Sequence, residues 1–330
     1  MDKSTLSAVP FLDVSSIDGR FISSLIFHDG TDWRSWIEVG EGLVEIKMWP
    51  AESYYFGRSP ESKNDFTFHF LNFVSQNSCF LQLQKAVAGI RDDLFNIAAA
   101  IAKIRHFESV QASIGQGVAR MVMTEVEYLL SLCRSIFDLL QEVVTKTWAT
   151  VKFIDPSREP KRLKGSFREM VMSSNEPMTA LAISEKFSIP MELARFYSRS
   201  ADFFLSLRRF RDNIVHNGST IQTIFATEDG FYIQRSFNPF ASIDLWREEE
   251  RKPNDLVPLL PALGFLIHGT LSACNDYSST IESIVLFPPP VAPGFQLYMR
   301  GYFNDSFVSL LTDAEGRVRE TAGSLMSNAC

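Results

Sequence analysis

Residues 83–104 read LQKAVAGIRDDLFNIAAAIAKI, and this stretch decides the class of fold. Leu83, Val87, Ile90, Leu94, Ile97, Ile101 and Ile104 follow one another by alternating steps of four and three. That spacing lines apolar side chains along one face of an α-helix. Val122, Val126, Leu129, Cys133, Ile136, Leu140 and Val143 repeat the seam, which stops before Asp155-Pro156, where the proline disfavours helix in its predecessor. A short Ser/Gly-containing link joins the two runs. The pattern therefore predicts two long helices packed antiparallel, with both seams in a core.

Outward from this pair, a third helix is predicted to begin near Pro190, a residue suited to a first helical turn. Its seam is Leu193, Phe196, Ser200, Phe203, Leu207, Phe210 and Ile214. A fourth, over about 255–285, carries Leu256, Leu260, Leu263, Ile267, Cys274, Ile281 and Ile284, and Pro288-Pro289-Pro290 ends it. Upstream, Phe21-Ile22, Leu25 to Phe27, Trp36 to Val39 and Leu43 to Ile46 alternate between turn signals and predict a small antiparallel sheet. Residues 221–227 and 231–237 flank Glu228-Asp229-Gly230 as a hairpin. Residues 295–311 read as returning strands, followed from Thr312 by a frayed polar tail. Residues 155–190 read as a connector with short helical pieces.

The expected fold is mainly α. It is a four-helix bundle with a small antiparallel β portion drawn from the N-terminus, the 221–237 hairpin and the C-terminus. The expected division is a β-rich segment over 1–63, the bundle over 64–290 and a C-terminal segment over 291–330.

The chain has 330 residues, 45% of them hydrophobic and 22% charged, so it can bury a sizeable core. Its net charge of −7 argues against a broad basic face for coating nucleic acid. Cys79, Cys133, Cys274 and Cys330 are too scattered for a zinc knuckle or a disulfide framework. No metal-ligand spacing and no Gly-rich phosphate loop occurs, and neither a cofactor nor a metal is expected. The N-terminal residues lack the apolar core of a signal peptide, and the run 256–271 is broken by Pro258, Pro261 and His268. A cytoplasmic protein without membrane attachment is expected. Trp33, Trp36 and Trp49 read as core, with base stacking reopened by an exposed aromatic sheet face.

Chemistry concentrates in residues 210–218, FRDNIVHNG. Arg211 precedes His216 by five residues, Asp212 and Asn213 follow the arginine, and Asn217-Gly218 suits the end of a helix. An arginine can fork a phosphate and stabilise charge developing on it. A histidine can take a proton from a ribose 2′-OH or give one to the leaving oxygen, with no metal needed. Positions five apart lie about 140° apart round a helix. Either the helix loosens before His216, or a second copy of it completes the site; the dimer is the favoured reading. The plain alternative is a helix C-terminus carrying cations that suit its dipole.

Arg211-Asp212-Asn213-Ile214-Val215-His216, ending a helix of a four-helix bundle, resembles the R-x4–6-H signature of the HEPN superfamily. The resemblance implies a homodimer whose arginine and histidine, here Arg211 and His216, form a metal-independent endoribonuclease site leaving cyclic phosphates. Asp212 takes the family's polar position, and Asn213 could share that role. Members act in toxin–antitoxin, phage-defence and stress systems, so an antitoxin or regulatory protein is an implied partner. Others are non-catalytic modules that bind a partner protein or a nucleotide, which is the alternative function.

Two basic strips are candidate contacts for single-stranded RNA or tRNA. One is Lys161, Arg162 and Lys164, within a run from Arg158 to Arg168. The other is Arg195, Arg199 and Arg208 on the third helix. On charge pattern alone, a solvated charged loop is the simpler reading of the first strip. Glu127, Ser131, Arg134 and Asp138 form a polar stripe on the second helix, read as an ion pair at the core's edge or as support for the motif.

Overall fold

A computed structural model describes residues 3–152, 161–174, 176–216, 222–237 and 240–327; the side chains of 211–216, 242 and 321–327 lie outside the described set. The described helices are α1 (Lys3–Leu6), α2 (His69–Gln76), α3 (Gln84–Ile114), α4 (Val118–Thr150), α5 (Phe167–Val171), α6 (Ala180–Phe187), α7 (Met191–His216), α8 (Leu259–Ile284) and α9 (Asp305–Ser327). The described strands are β1 (Ile26–His28), β2 (Trp33–Val39), β3 (Gly42–Ile46), β4 (Ser53–Gly57), β5 (Met172–Ser173), β6 (Glu176–Pro177), β7 (Phe225–Thr227), β8 (Gly230–Gln234), β9 (Leu256–Pro258) and β10 (Gln296–Arg300).

This overturns the expected four-helix bundle with a minor antiparallel β portion. Nine helices stand among the described residues, beside a five-stranded mixed sheet, a three-stranded sheet and a two-stranded one. The long helices α3, α4 and α7 are where their seams place them, α8 begins at Leu259 so that Leu256 of the fourth seam lies in β9 instead, and every residue of the two founding seams is buried. The misreadings have physical causes. Strand β4 is interior to its sheet, with Tyr55 and Phe56 fully buried, so it shows no alternation of apolar and polar residues. The C-terminal stretch is one strand and then α9, not strands and a frayed tail. The seam of α9 runs through Phe307, Leu310, Ala314 and Arg317, and its small and charged members hide the helical period.

The chain forms two compact units. The first comprises Met1–Arg91, Asp138–Arg199 and Ala273–Phe303. Its sheet runs β10-β4-β1-β2-β3, antiparallel throughout except for the parallel pair β1 and β4. One face buries Phe27, Trp36 and Phe56, which close on Phe11 and Phe295 with ring centroids 5.1–6.0 Å apart. Such tilted and edge-on pairs are favoured by the ring quadrupoles. Helix α2 is tied to the C-terminal strand by Asn72, whose side-chain oxygen accepts from the Leu297 N–H at 2.8 Å. Within the same unit Gly89 of α3 lies against Leu139 of α4, where a Cβ would come 2.8 Å from Leu139 Cδ1.

The second unit comprises Asp92–Phe137, Ser200–Ser272 and Asn304–Cys330. Phe137 of α4 meets Phe203 and Phe204 of α7 at 5.9 and 5.5 Å, and Phe203 meets Phe265 of α8 at 5.8 Å. The hairpin β7–β8 is extended by β9 into a three-stranded sheet. Among the described residues, no helix is long and apolar enough to cross a membrane.

Candidate functional site

Helix α7 carries the motif, and its sequence explains both its start and its depth. The Ala194 N–H donates to the Pro190 carbonyl at 3.0 Å, so the proline stands at the helix entrance, where its missing N–H costs nothing. Leu193, Phe196, Tyr197, Phe204, Leu207 and Phe210 are all buried. Phe210, directly before the motif, packs edge-on against the fully buried Phe240 at 5.2 Å. The backbone stays helical through Arg211, Asp212 and Asn213 to His216. The side chains of these four residues lie outside the described set, as does all of Asn217-Gly218.

In the second unit Arg134 of the α4 stripe reaches α7. The Arg134 guanidinium lies over the Phe204 ring, 4.8 Å from its centroid, a cation–π contact held half-buried. Glu127 is half-buried, and its carbonyl accepts the Ser131 hydroxyl at 2.9 Å; Asp138 is exposed. Arg208 is half-buried, and the neighbouring exposed Arg209 donates to Ser206 Oγ at 3.2 Å.

In the first unit the 161–168 segment packs on α7, a contact that sequence spacing does not foretell. Phe167 of α5 meets Phe196 and Tyr197 of α7, at 6.1 and 5.2 Å. Lys161, Arg162, Lys164 and Arg168 of that segment, and Arg195 and Arg199 of α7, are all exposed. A buried chain of hydrogen bonds pins the loop. The Tyr197 hydroxyl donates to Gln141 Oε1 at 3.1 Å, and Gln141 Nε2 donates to the Lys164 carbonyl at 2.8 Å. Leu163, buried between its charged neighbours, anchors the same loop. Arg199 is partly engaged, with Asp276 3.5 Å away. Arg158 lies outside the described residues.

The described cysteines, Cys79, Cys133 and Cys274, are buried and not poised as nucleophiles. Burial pushes the Cys79 thiol up to about 11 and the Cys133 thiol up to about 12, so both stay protonated at neutral pH. Among the described residues, no three His, Cys, Asp or Glu side chains group as metal ligands. Trp36 is buried as a core residue, Trp33 is half-buried, and Trp49 is 68% exposed.

No family model matches the chain, and neither a curated protein nor a solved structure matches it.

Proposed function

We propose that the protein is a metal-independent endoribonuclease of the cytoplasm that works as a homodimer, with Arg211 and His216 as its reacting pair. The observation that carries this reading is the unbroken helical backbone of α7 from Met191 through His216. It speaks against a helix that loosens before the histidine. On an intact helix, positions five apart lie about 140° apart round the axis, so one helix end does not turn both residues to one point. A two-fold axis beside the helix end would bring the arginine of one copy to the histidine of the other. There Arg211 stabilises the charge growing on the phosphate, and His216 exchanges the proton of the 2′-OH or of the leaving oxygen. Asp212 and Asn213 position the imidazole or the substrate.

Two further features support RNA as the substrate. The exposed cations of residues 161–168 and 195–199 lie on two segments that pack together within the first unit, which would give an acidic chain local cations for phosphates. Each strip is short, which favours single-stranded RNA or a tRNA loop over long duplex. Phage defence, a toxin–antitoxin pair or a stress response would be its setting.

The test is cleavage of total RNA and tRNA by the purified protein in a chelator, beside His216→Ala and Arg211→Ala. Cleavage should survive chelation, leave cyclic-phosphate ends and fall by about 100-fold or more in His216→Ala. Cleavage unchanged in both variants would overturn the assignment. A folded dimer that leaves RNA intact would instead indicate a binding module.

A further inference from the structure

The open end of the β2–β3 hairpin gathers two tryptophans and charged side chains of both signs. Ser35 pairs with Ile46, so the residues entering β2 run beside those leaving β3. Asp32, Trp33 and Arg34 on one strand, and Lys47, Met48 and Trp49 on the other, line a hollow of about 500 Å³. It lies wholly within the first unit. Small-molecule sites occupy about 300–1,000 Å³, so a nucleotide can enter it.

Trp49 is held in place and yet bare. The Arg300 guanidinium lies 5.4 Å from its ring centroid and 4.7 Å from that of Trp33. Arg300 is itself fixed, donating to Asp65 at 2.8 Å and to the carbonyl of Pro50, the residue after Trp49, at 3.4 Å. The indole it backs is 68% exposed, against 5% for the core residue Trp36. A flat ring set in this way beside a hollow is a stacking platform, because every nucleobase has a π-face to lay on it.

The charges select the base. Arg34 and Glu45 satisfy one another, Nε and Nη2 donating to the two carboxylate oxygens at 2.6 and 2.9 Å. Asp32 and Lys47 are exposed, and no ion pair engages either among the described residues. The hollow thus offers one pair of acceptor oxygens and one cation beside its rings. We propose that it binds an unpaired guanine of single-stranded RNA, stacked on Trp49, with its Watson–Crick edge on Asp32 and a flanking phosphate on Lys47. A carboxylate only accepts hydrogen bonds. Guanine sets two donors side by side, N1–H and the N2 amino group, and they match the two oxygens. Adenine and cytosine place a ring acceptor beside their amino group, and uracil flanks its N–H with carbonyls. Each of those would press a lone pair against the carboxylate. A free cation would meet the same rings and the same carboxylate, but Lys47 repels it. RNA as the polymer rests on the proposed function above; the selection of guanine does not.

The experiment is fluorescence anisotropy of labelled 2′-O-methyl pentamers with the full chain, UUGUU beside UUAUU, UUCUU and UUUUU. Their blocked 2′ oxygens cannot attack, so binding is read apart from cleavage. UUGUU should bind at least about tenfold tighter than the other three, within the range that one bidentate base contact supplies. Asp32→Asn should erase that preference while keeping the weaker binding shared by all four. Trp49→Ala should weaken UUGUU binding by about tenfold or more, and Trp49→Phe should restore most of it. Lys47→Gln should weaken all four pentamers alike and flatten the salt dependence. Circular dichroism establishes that each variant is folded, and Asp32→Asn, at an exposed position, carries the test should Trp49→Ala not fold. Equal affinity for the four pentamers overturns the proposal. So does a guanine preference that survives Asp32→Asn, UUGUU binding unchanged in folded Trp49→Ala, or no saturable binding to the wild-type chain. RNA cleavage without the guanine preference would remove this proposal and leave the nuclease standing; guanine binding without cleavage would do the reverse.

Discussion

Arg300 in the first unit and Arg317 in the second are buried arginines that tie late sequence to earlier sequence, and the two are built differently. In the first, Arg300 of β10 donates to both oxygens of Asp65, at 2.9 and 2.8 Å, and also pairs with Glu61. Trp33 and Trp49 stack round its guanidinium at 4.7 and 5.4 Å, and the Tyr55 hydroxyl donates to the same Asp65 at 2.6 Å. The Asp65 side chain is 2% exposed. In the second, Arg317 of α9 forks Glu250 at 2.7 and 2.5 Å and reaches Asp313 at 2.6 Å. Both of these partners are wetter than Asp65, with side chains 22% and 36% exposed. A carboxylate that water can reach survives the loss of its cation, and one sealed under tryptophans does not. The two sites should therefore respond to the same substitution by different amounts.

Arg300→Met is expected to have the largest effect, because it leaves Asp65 charged, buried and unpaired. A loss of about 3–5 kcal/mol is expected in urea denaturation. Arg317→Met should cost less, about 1.5–3 kcal/mol, since water can replace the charged hydrogen bonds to Glu250 and Asp313. Equal losses at the two sites would break the comparison.

Acid sharpens it. Burial works to raise the Asp65 pKa, but the hydrogen bonds from Arg300, Tyr55 and the Ser62 N–H outweigh burial and hold it below the ordinary carboxylate value. The hydrogen bond from Arg317 likewise lowers that of Glu250. A folded-state pKa below the unfolded one stabilises at pH above the unfolded value, near 4, and that stability drains away as pH falls through the folded value. The wild-type protein should thus weaken in acid. In Arg300→Met the Arg300 hydrogen bonds to Asp65 are gone while burial stays, so the Asp65 pKa should rise relative to the wild type and the variant should lose less stability than the wild type as pH drops from about 6 towards 4. Denaturation midpoints across that range measure it, and parallel curves for variant and wild type would refute it.

The smallest effect belongs to the exposed Arg199–Asp276 pair, at 3.5 Å with side chains 59% and 53% exposed. Arg199→Ala should move stability by less than about 1 kcal/mol while weakening RNA binding, which a filter-binding assay would read.

Periodic sequence made the long helices legible. The seams of α3 and α4 need only local spacing, and that spacing is what the core reads. Strand β4 was hidden because an interior strand buries both faces, and α9 because Ala314 and the buried Arg317 occupy seam positions that a hydropathy pattern scores as breaks. The Arg211 and His216 pair was legible as a spacing. The meeting of the 161–168 loop with α7 was not, because it depends on Phe167 finding Phe196 and Tyr197, a contact no local pattern encodes.

Strand β10 has a consequence for how the protein is made. It pairs along the whole of β4, Gln296 opposite Gly57 through Arg300 opposite Ser53, and these partners are separated by most of the chain. A ribosome delivers β4 early and β10 late, so throughout that interval β4 has an unpaired edge and Asp65 has no Arg300. The first unit cannot close until β10 has been made, however quickly its earlier strands meet. Its nascent form is a sheet with an open, aromatic-rich side, the kind of surface that holding chaperones shelter and that pairs wrongly when left bare.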